Sequence, residues 1–211
     1  MLGQVTTRTI FIIYLCLFTP SAFSAANVEI ENIKSLYAQT NKAIEEGETK
    51  QLFYYNTSGG WKTTTDLKTI GFKDVGDDRL LEQAHIFLHH DHVLKALMYI
   101  DTPSGDWANK REYYFFDSGK TAFLFETHFT FLGHDFETQK PLPKGPYIVE
   151  RRIYFDSNGK EIRRLEKAFT SKSKKSVPVR FLQQIDSVYY ADVNHLPIYS
   201  LHNQSKGAAS Q

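Results

Sequence analysis

Cysteine is almost absent: the chain has one, Cys16, inside an apolar stretch near the N-terminus. Loss of that stretch on export leaves no thiol, which excludes disulfides, thiol catalysis and cysteine-based zinc sites. An excess of one charge is also missing, because 25 Lys and Arg face 24 Asp and Glu. No global field then favours a phosphate backbone or an anionic membrane surface, and nucleic acid drops out as a partner. A long hydrophobic run is lacking as well. The apolar stretch Thr9 to Thr19 covers 11 residues, well short of the roughly 20 that a helix needs to cross the hydrocarbon core.

The frames of common catalytic machinery are missing too. Ser58-Gly59-Gly60 lacks the flanking residues of a G-x-S-x-G nucleophile elbow. Neither Gly60-Trp61-Lys62 nor Gly119-Lys120-Thr121 sits in the G-x-x-x-x-G-K-[ST] frame that cradles phosphates. The carboxylate pairs Asp77-Asp78 and Glu45-Glu46 are adjacent in sequence, so on a regular element they diverge and do not flank one bond. The expectation is a chain with no catalytic residue and no cofactor.

What is present begins with an export signal. Arg8 supplies a positive start, Thr9 to Thr19 the apolar run, and Pro20 with SAFSAA the small-residue exit. Residues 1–26 read as a signal peptide cut after Ser24 or Ala26, residues 27–200 as one domain and 201–211 as a disordered tail. The protein is therefore expected in a periplasm or outside the cell, with no stable membrane span after cleavage.

From Val28 to Glu46, Ile30, Ile33, Tyr37, Ala43 and Ile44 recur at three-to-four spacing between charged residues, which predicts an amphipathic helix stopped at Gly47. The period then changes. Residues 51–169 are rich in Tyr, Phe, Thr and Ile, with turn signals at intervals suited to short antiparallel strands. REYYFFDSGK at 111–120 recurs forty positions later as RRIYFDSNGK at 151–160. In each, alternating residues reach Ser118-Gly119 or Asn158-Gly159, which tolerate a tight turn, and a partner strand returns. The first hairpin is apolar on both faces, which predicts a central position with cover on both sides. Ala84 to Leu88 and Val93 to Ile100 form another, closed through His89-His90-Asp91-His92. Val179 to Val193, with Phe181, Leu182, Ile185, Val188 and Tyr189, is expected to be a second helix. The fold class is α+β: an antiparallel meander of roughly six to eight strands flanked by N- and C-terminal helices.

This signal, helix and pair of tyrosine-rich hairpins ending in YFFDSGK and YFDSNGK resembles a loose group of uncharacterised bacterial secreted or periplasmic proteins with E-x-Y-Y-F-D-x-G-K and R-x-Y-F-D-x-G-K hairpins. The resemblance covers roughly residues 28 to 170. It extends weakly to the turns of YD-type and MORN-like repeats. It implies export and paired hairpins, and no activity. Thr121-Ala122 departs from the group's pattern after Lys120.

Two constellations stand out. His85, His89, His90, Asp91 and His92 are the densest set of potential metal ligands, and His90 and His92 with His128 or His134 are the weak candidates for a metal. Arg152, Tyr154 and Arg164, on two paired strands, are the candidates for binding a partner. The expected function is non-catalytic recognition of a protein partner, as an immunity or inhibitor protein would perform it. Two alternatives stand beside it: a metal-dependent hydrolase built on the His89–His92 turn, and a carrier holding a lipophilic ligand between sheet and helix.

Overall fold

The computed structural model describes residues 21–76, 79–131, 133–135, 140–142, 145–182 and 189–199. It opens with helix α1 (Ser21–Glu45). Ile30 and Ile33 are buried on its inner face, and Gly47 ends it at φ 75°. There the Gly47 N–H donates to the Ile44 carbonyl and the Glu48 N–H to that of Ala43, the Schellman closure that glycine permits. The helix spans the expected cleavage point; beyond that point its Glu29 carboxylate accepts from the Ser157 N–H of the Asn158-Gly159 turn at 3.1 Å.

The strands follow as β1 (Lys50–Thr57), β2 (Gly60–Thr64), a one-turn helix α2 (Phe72–Val75), β3 (Leu81–His89), β4 (His92–Asp101), β5 (Trp107–Phe115) and β6 (Thr121–Thr130). After them come β7 (His134–Asp135), β8 (Lys140–Pro141), β9 (Tyr147–Phe155), β10 (Glu161–Thr170) and β11 (Ser176–Val177). Nine of these make one antiparallel sheet in the order β11-β10-β9-β6-β5-β4-β3-β1-β2, and β7 pairs with β8 alone. The meander is as expected, with nine strands in place of six to eight. Part of the proline-bearing connection Thr138 to Gly145 lies outside the described residues. Within it Lys140–Pro141 stays off the main sheet, as a residue without an N–H must avoid a central ladder.

The doubly apolar hairpin sits where its sequence puts it. β5 is the fifth strand of nine, and neighbouring Tyr113 and Tyr114, pointing to opposite faces, are both fully buried. One face packs under α1, where Ile30, Ile33, Tyr114, Phe123 and Tyr154 gather. The other holds Tyr54, Ala84, Ile86, Ala96, Tyr113, Leu124 and Ile153 beneath Val193, Leu196 and Ile198 of the C-terminal segment.

That segment corrects the second helix. Val179–Phe181 and Val193–His195 are single 3-10 turns, Tyr189 to Asp192 is irregular, and 183–188 lie outside the described residues. The physical reason is competition for backbone groups. The Tyr190 carbonyl accepts from the Thr121 hydroxyl at 2.7 Å, the Ala191 carbonyl accepts from the Thr121 N–H, and the Val193 N–H donates to the Gly119 carbonyl. These groups bond to the sheet and are lost to a helical ladder. The segment is a strap across the β5–β6 turn, capped by Asp192, which accepts from the Asn194 N–H at 2.9 Å.

Candidate binding groove

Side chains alternate along a strand, so the pairing register assigns every residue to a face. On the α1 face, Tyr114, Phe123 and Tyr154 lie abreast across β5, β6 and β9, with ring centroids 5.7 and 4.9 Å apart. Tyr37 of α1 rests on this row, 4.8 Å from Tyr114 and 5.6 Å from Phe123. The next row is Glu112, Phe125, Arg152 and Leu165, and α1 leaves its outer part uncovered. Leu165 is 40 % and Tyr37 41 % exposed. Between helix and sheet runs a half-open groove of about 310 Å³ lined by Ile33, Lys34, Tyr37, Phe123, Phe125, Arg152 and Tyr154.

Two cations stand at its rim, in different states. Lys34 is neutralised by Glu31 at 2.7 Å. The Arg152 guanidinium lies 5.7 Å from the Phe125 ring centroid, an exposed cation–π contact, and has no carboxylate partner among the described residues.

One turn beyond Tyr37, a polar network ties the helix to the sheet. Lys95 reaches Glu112 at 2.7 Å and Lys110 reaches the second oxygen of the same carboxylate at 2.7 Å. Asn41 of α1 accepts from Lys95 at 3.3 Å and from the Tyr114 hydroxyl at 3.1 Å. Burial works against the Glu112 charge, but the hydrogen bonds from Lys110 and Lys95 outweigh it and hold this carboxyl below the usual range. Burial, with the Glu112 charge beside it, pushes the Tyr114 hydroxyl far up, so it remains a donor.

The sequence-derived candidates separate. Arg152 lines the groove and Tyr154 is buried in its floor. Arg164 is on the opposite face, because Leu165 is the residue paired with Arg152 while Arg164 pairs with Ile153. An irregular register between Glu161 and Arg163 shifts the strand, so the arginine beside Tyr154 is Arg163 and not the expected Arg164. Arg164 is held by Glu161 at 2.6 Å and faces the Tyr189 ring at 5.8 Å. The helix contribution of Ile33, Lys34 and Tyr37 was missed; its one signal was the i, i+4 spacing of Ile33 and Tyr37 on the apolar stripe.

The histidines do not converge. His90 and Asp91 occupy the two positive-φ positions of the β3–β4 turn, and the His90 ring contacts His89 at 4.1 Å. His128 is buried on β6 in a row with Asn109 and Ile100, eight residues along β4 from His92, which is roughly 26 Å. Only the backbone of His134 is described. Among the described residues no three His, Cys, Asp or Glu side chains are grouped to hold a metal.

His85 has a different part. It is stacked between Phe53 at 4.2 Å and Phe87 at 3.9 Å, with its Nε2 2.9 Å from the Gln51 side-chain oxygen. Burial first, and the Lys95 charge second, lower its pKa from 6.5 to about 4. The unfolded chain takes up this proton near pH 6.5 and the folded one only near 4, so His85 supports stability above 6.5 and withdraws it as pH falls through that window. Urea midpoints measured from pH 7 to 4.5 should fall in the wild type and flatten in His85→Gln.

The strap face carries a buried ionic cluster. Glu126 is fully buried. One oxygen accepts from Asn109 and from Arg111, both at 2.9 Å, and the other from Arg151 at 2.7 Å. Arg151 also reaches Glu166 at 2.9 Å. Burial disfavours the Glu126 charge, but bonds from Arg151, Asn109 and Arg111 hold its pKa down. With both oxygens committed, this carboxylate is a register pin across β5, β6 and β9 and a poor general base. Comparison with family models, with curated proteins and with solved structures gives no match for the chain.

Proposed function

We propose that this is an exported binding module without a reaction of its own, which recognises a protein partner through the groove beneath α1. The observation that carries the reading is an apolar groove of exposed and half-buried rings bordered by an arginine with no carboxylate partner among the described residues. Rings and arginine are the side chains that dominate protein contacts. The export signal and the resemblance to secreted hairpin proteins support a site of action in the periplasm or beyond it, and an immunity or inhibitor role fits a small sheet protein of this kind. A lipid carrier is the weaker reading, since a half-open groove cannot enclose most of a lipid's surface as ligand pockets do.

The test is affinity capture with the full chain, tagged at its C-terminus and expressed in its own organism, comparing wild type with Tyr37→Ala and Phe125→Ser. Thermal melts of all three come first. A stoichiometric protein held by the wild type and lost from both folded variants is the expected result. A partner retained by both variants, or no protein partner at all, overturns the reading.

A further inference from the structure

Resting on the groove as the contact site, we infer that the partner segment entering it presents an apolar side chain of Leu, Ile or Phe size with a carboxylate within one turn or three extended residues of it. The groove sets the apolar half of this motif. Its lining of Ile33, Tyr37, Phe123, Phe125 and Tyr154 offers rings and aliphatic surface. At about 310 Å³ it stands at the lower end of ligand pockets, roughly 300–1,000 Å³. That suits one or two anchoring side chains, with the rest of the partner sealing the open side as the rim of an interface does.

Arg152 sets the acidic half. Its contact with the Phe125 ring at 5.7 Å restrains the guanidinium plane, and a restrained plane presents two parallel N–H groups to a carboxylate. Lys34 is already matched by Glu31 at 2.7 Å and Lys167 by Glu150 at 2.8 Å. Arg163, beside Tyr154 on the same face, is outside the groove lining; among the residues that line the groove Arg152 is the cation left to a partner, so the motif needs one carboxylate. A neutral or basic segment would cover Arg152 and leave a desolvated guanidinium without an acceptor, which costs more than the apolar contact alone returns.

The probe is a display library of random twelve-residue peptides selected on the purified tagged protein. Selected peptides are expected to carry Asp or Glu within three or four positions of Leu, Ile or Phe. They should bind Arg152→Gln at least tenfold more weakly, and Arg164→Gln within twofold of wild type. Peptides without an acidic residue, peptides indifferent to Arg152→Gln, or a library yielding no binder all overturn the inference. Tighter binding of dodecanoate than of every selected peptide overturns it as well, by assigning the site to a free amphiphile. These failures are separable from failure of the functional reading: a captured partner lost from the Tyr37 and Phe125 variants leaves that reading standing when the motif falls.

Discussion

Replacing Glu126 by leucine is expected to lower the free energy of unfolding by about 3–5 kcal/mol, the usual result of removing one partner from a buried ion network. Glu126 is fully buried and joins Arg111 of β5 to Arg151 of β9 through its two oxygens. Leucine would take away the carboxylate they share and leave two guanidiniums, 10 % and 6 % exposed, facing an apolar side chain. The loss should appear as a shifted urea midpoint at unchanged slope, since the surface exposed on unfolding hardly differs. Replacing all three together, Arg111→Met, Glu126→Leu and Arg151→Leu, should restore most of the stability, because the desolvation cost disappears with the charges. A loss below about 1 kcal/mol in the single variant would mean that the cluster is solvated and pins nothing.

The strap provides the second large effect. Ile198→Ala is expected to cost about 2–5 kcal/mol, the range for truncating a buried aliphatic side chain where the surroundings cannot collapse. Ile198 is 1 % exposed and packs with Val193 and Leu196 on Tyr113, Leu124 and Ile153. The strap's own backbone is tied at Thr121 and Gly119, so the strap cannot slide inward to close the hole. Calorimetric melting measures the loss. Limited proteolysis adds a local reading: cleavage near residues 189–199 should accelerate well before global unfolding, because opening of the strap exposes its backbone first. Equal melting temperatures in variant and wild type would show that the strap is peripheral to the fold.

How much of this was legible in the sequence depended on whether the signal was local. The α1 stripe, the hairpin turns and the central place of 111–125 were readable, because period, turn chemistry and two-sided apolarity are properties of contiguous residues. The strap was not: Phe181, Leu182 and Tyr189 imitate a helical stripe, while the bonds that draw Tyr190, Ala191 and Val193 to Thr121 and Gly119 come from residues some seventy positions away. The groove was half legible. Arg152 and Tyr154 follow from strand alternation, but the bulge near Glu161 moves Arg164 to the other face, and no local pattern announces a one-residue shift. Glu126 went unnoticed since an isolated glutamate in a strand looks solvated until its neighbours across β5 and β9 are known.

The split between Arg152 and Arg164 gives the most direct test of the groove as the recognition site. Both are exposed arginines on the paired strands β9 and β10, and they point to opposite faces. Calorimetric titration of the captured partner against wild type, Arg152→Gln and Arg164→Gln should show at least a tenfold loss of affinity for Arg152→Gln and little change for Arg164→Gln. Unchanged affinity in Arg152→Gln together with a loss in Arg164→Gln would place recognition on the strap face and contradict the account.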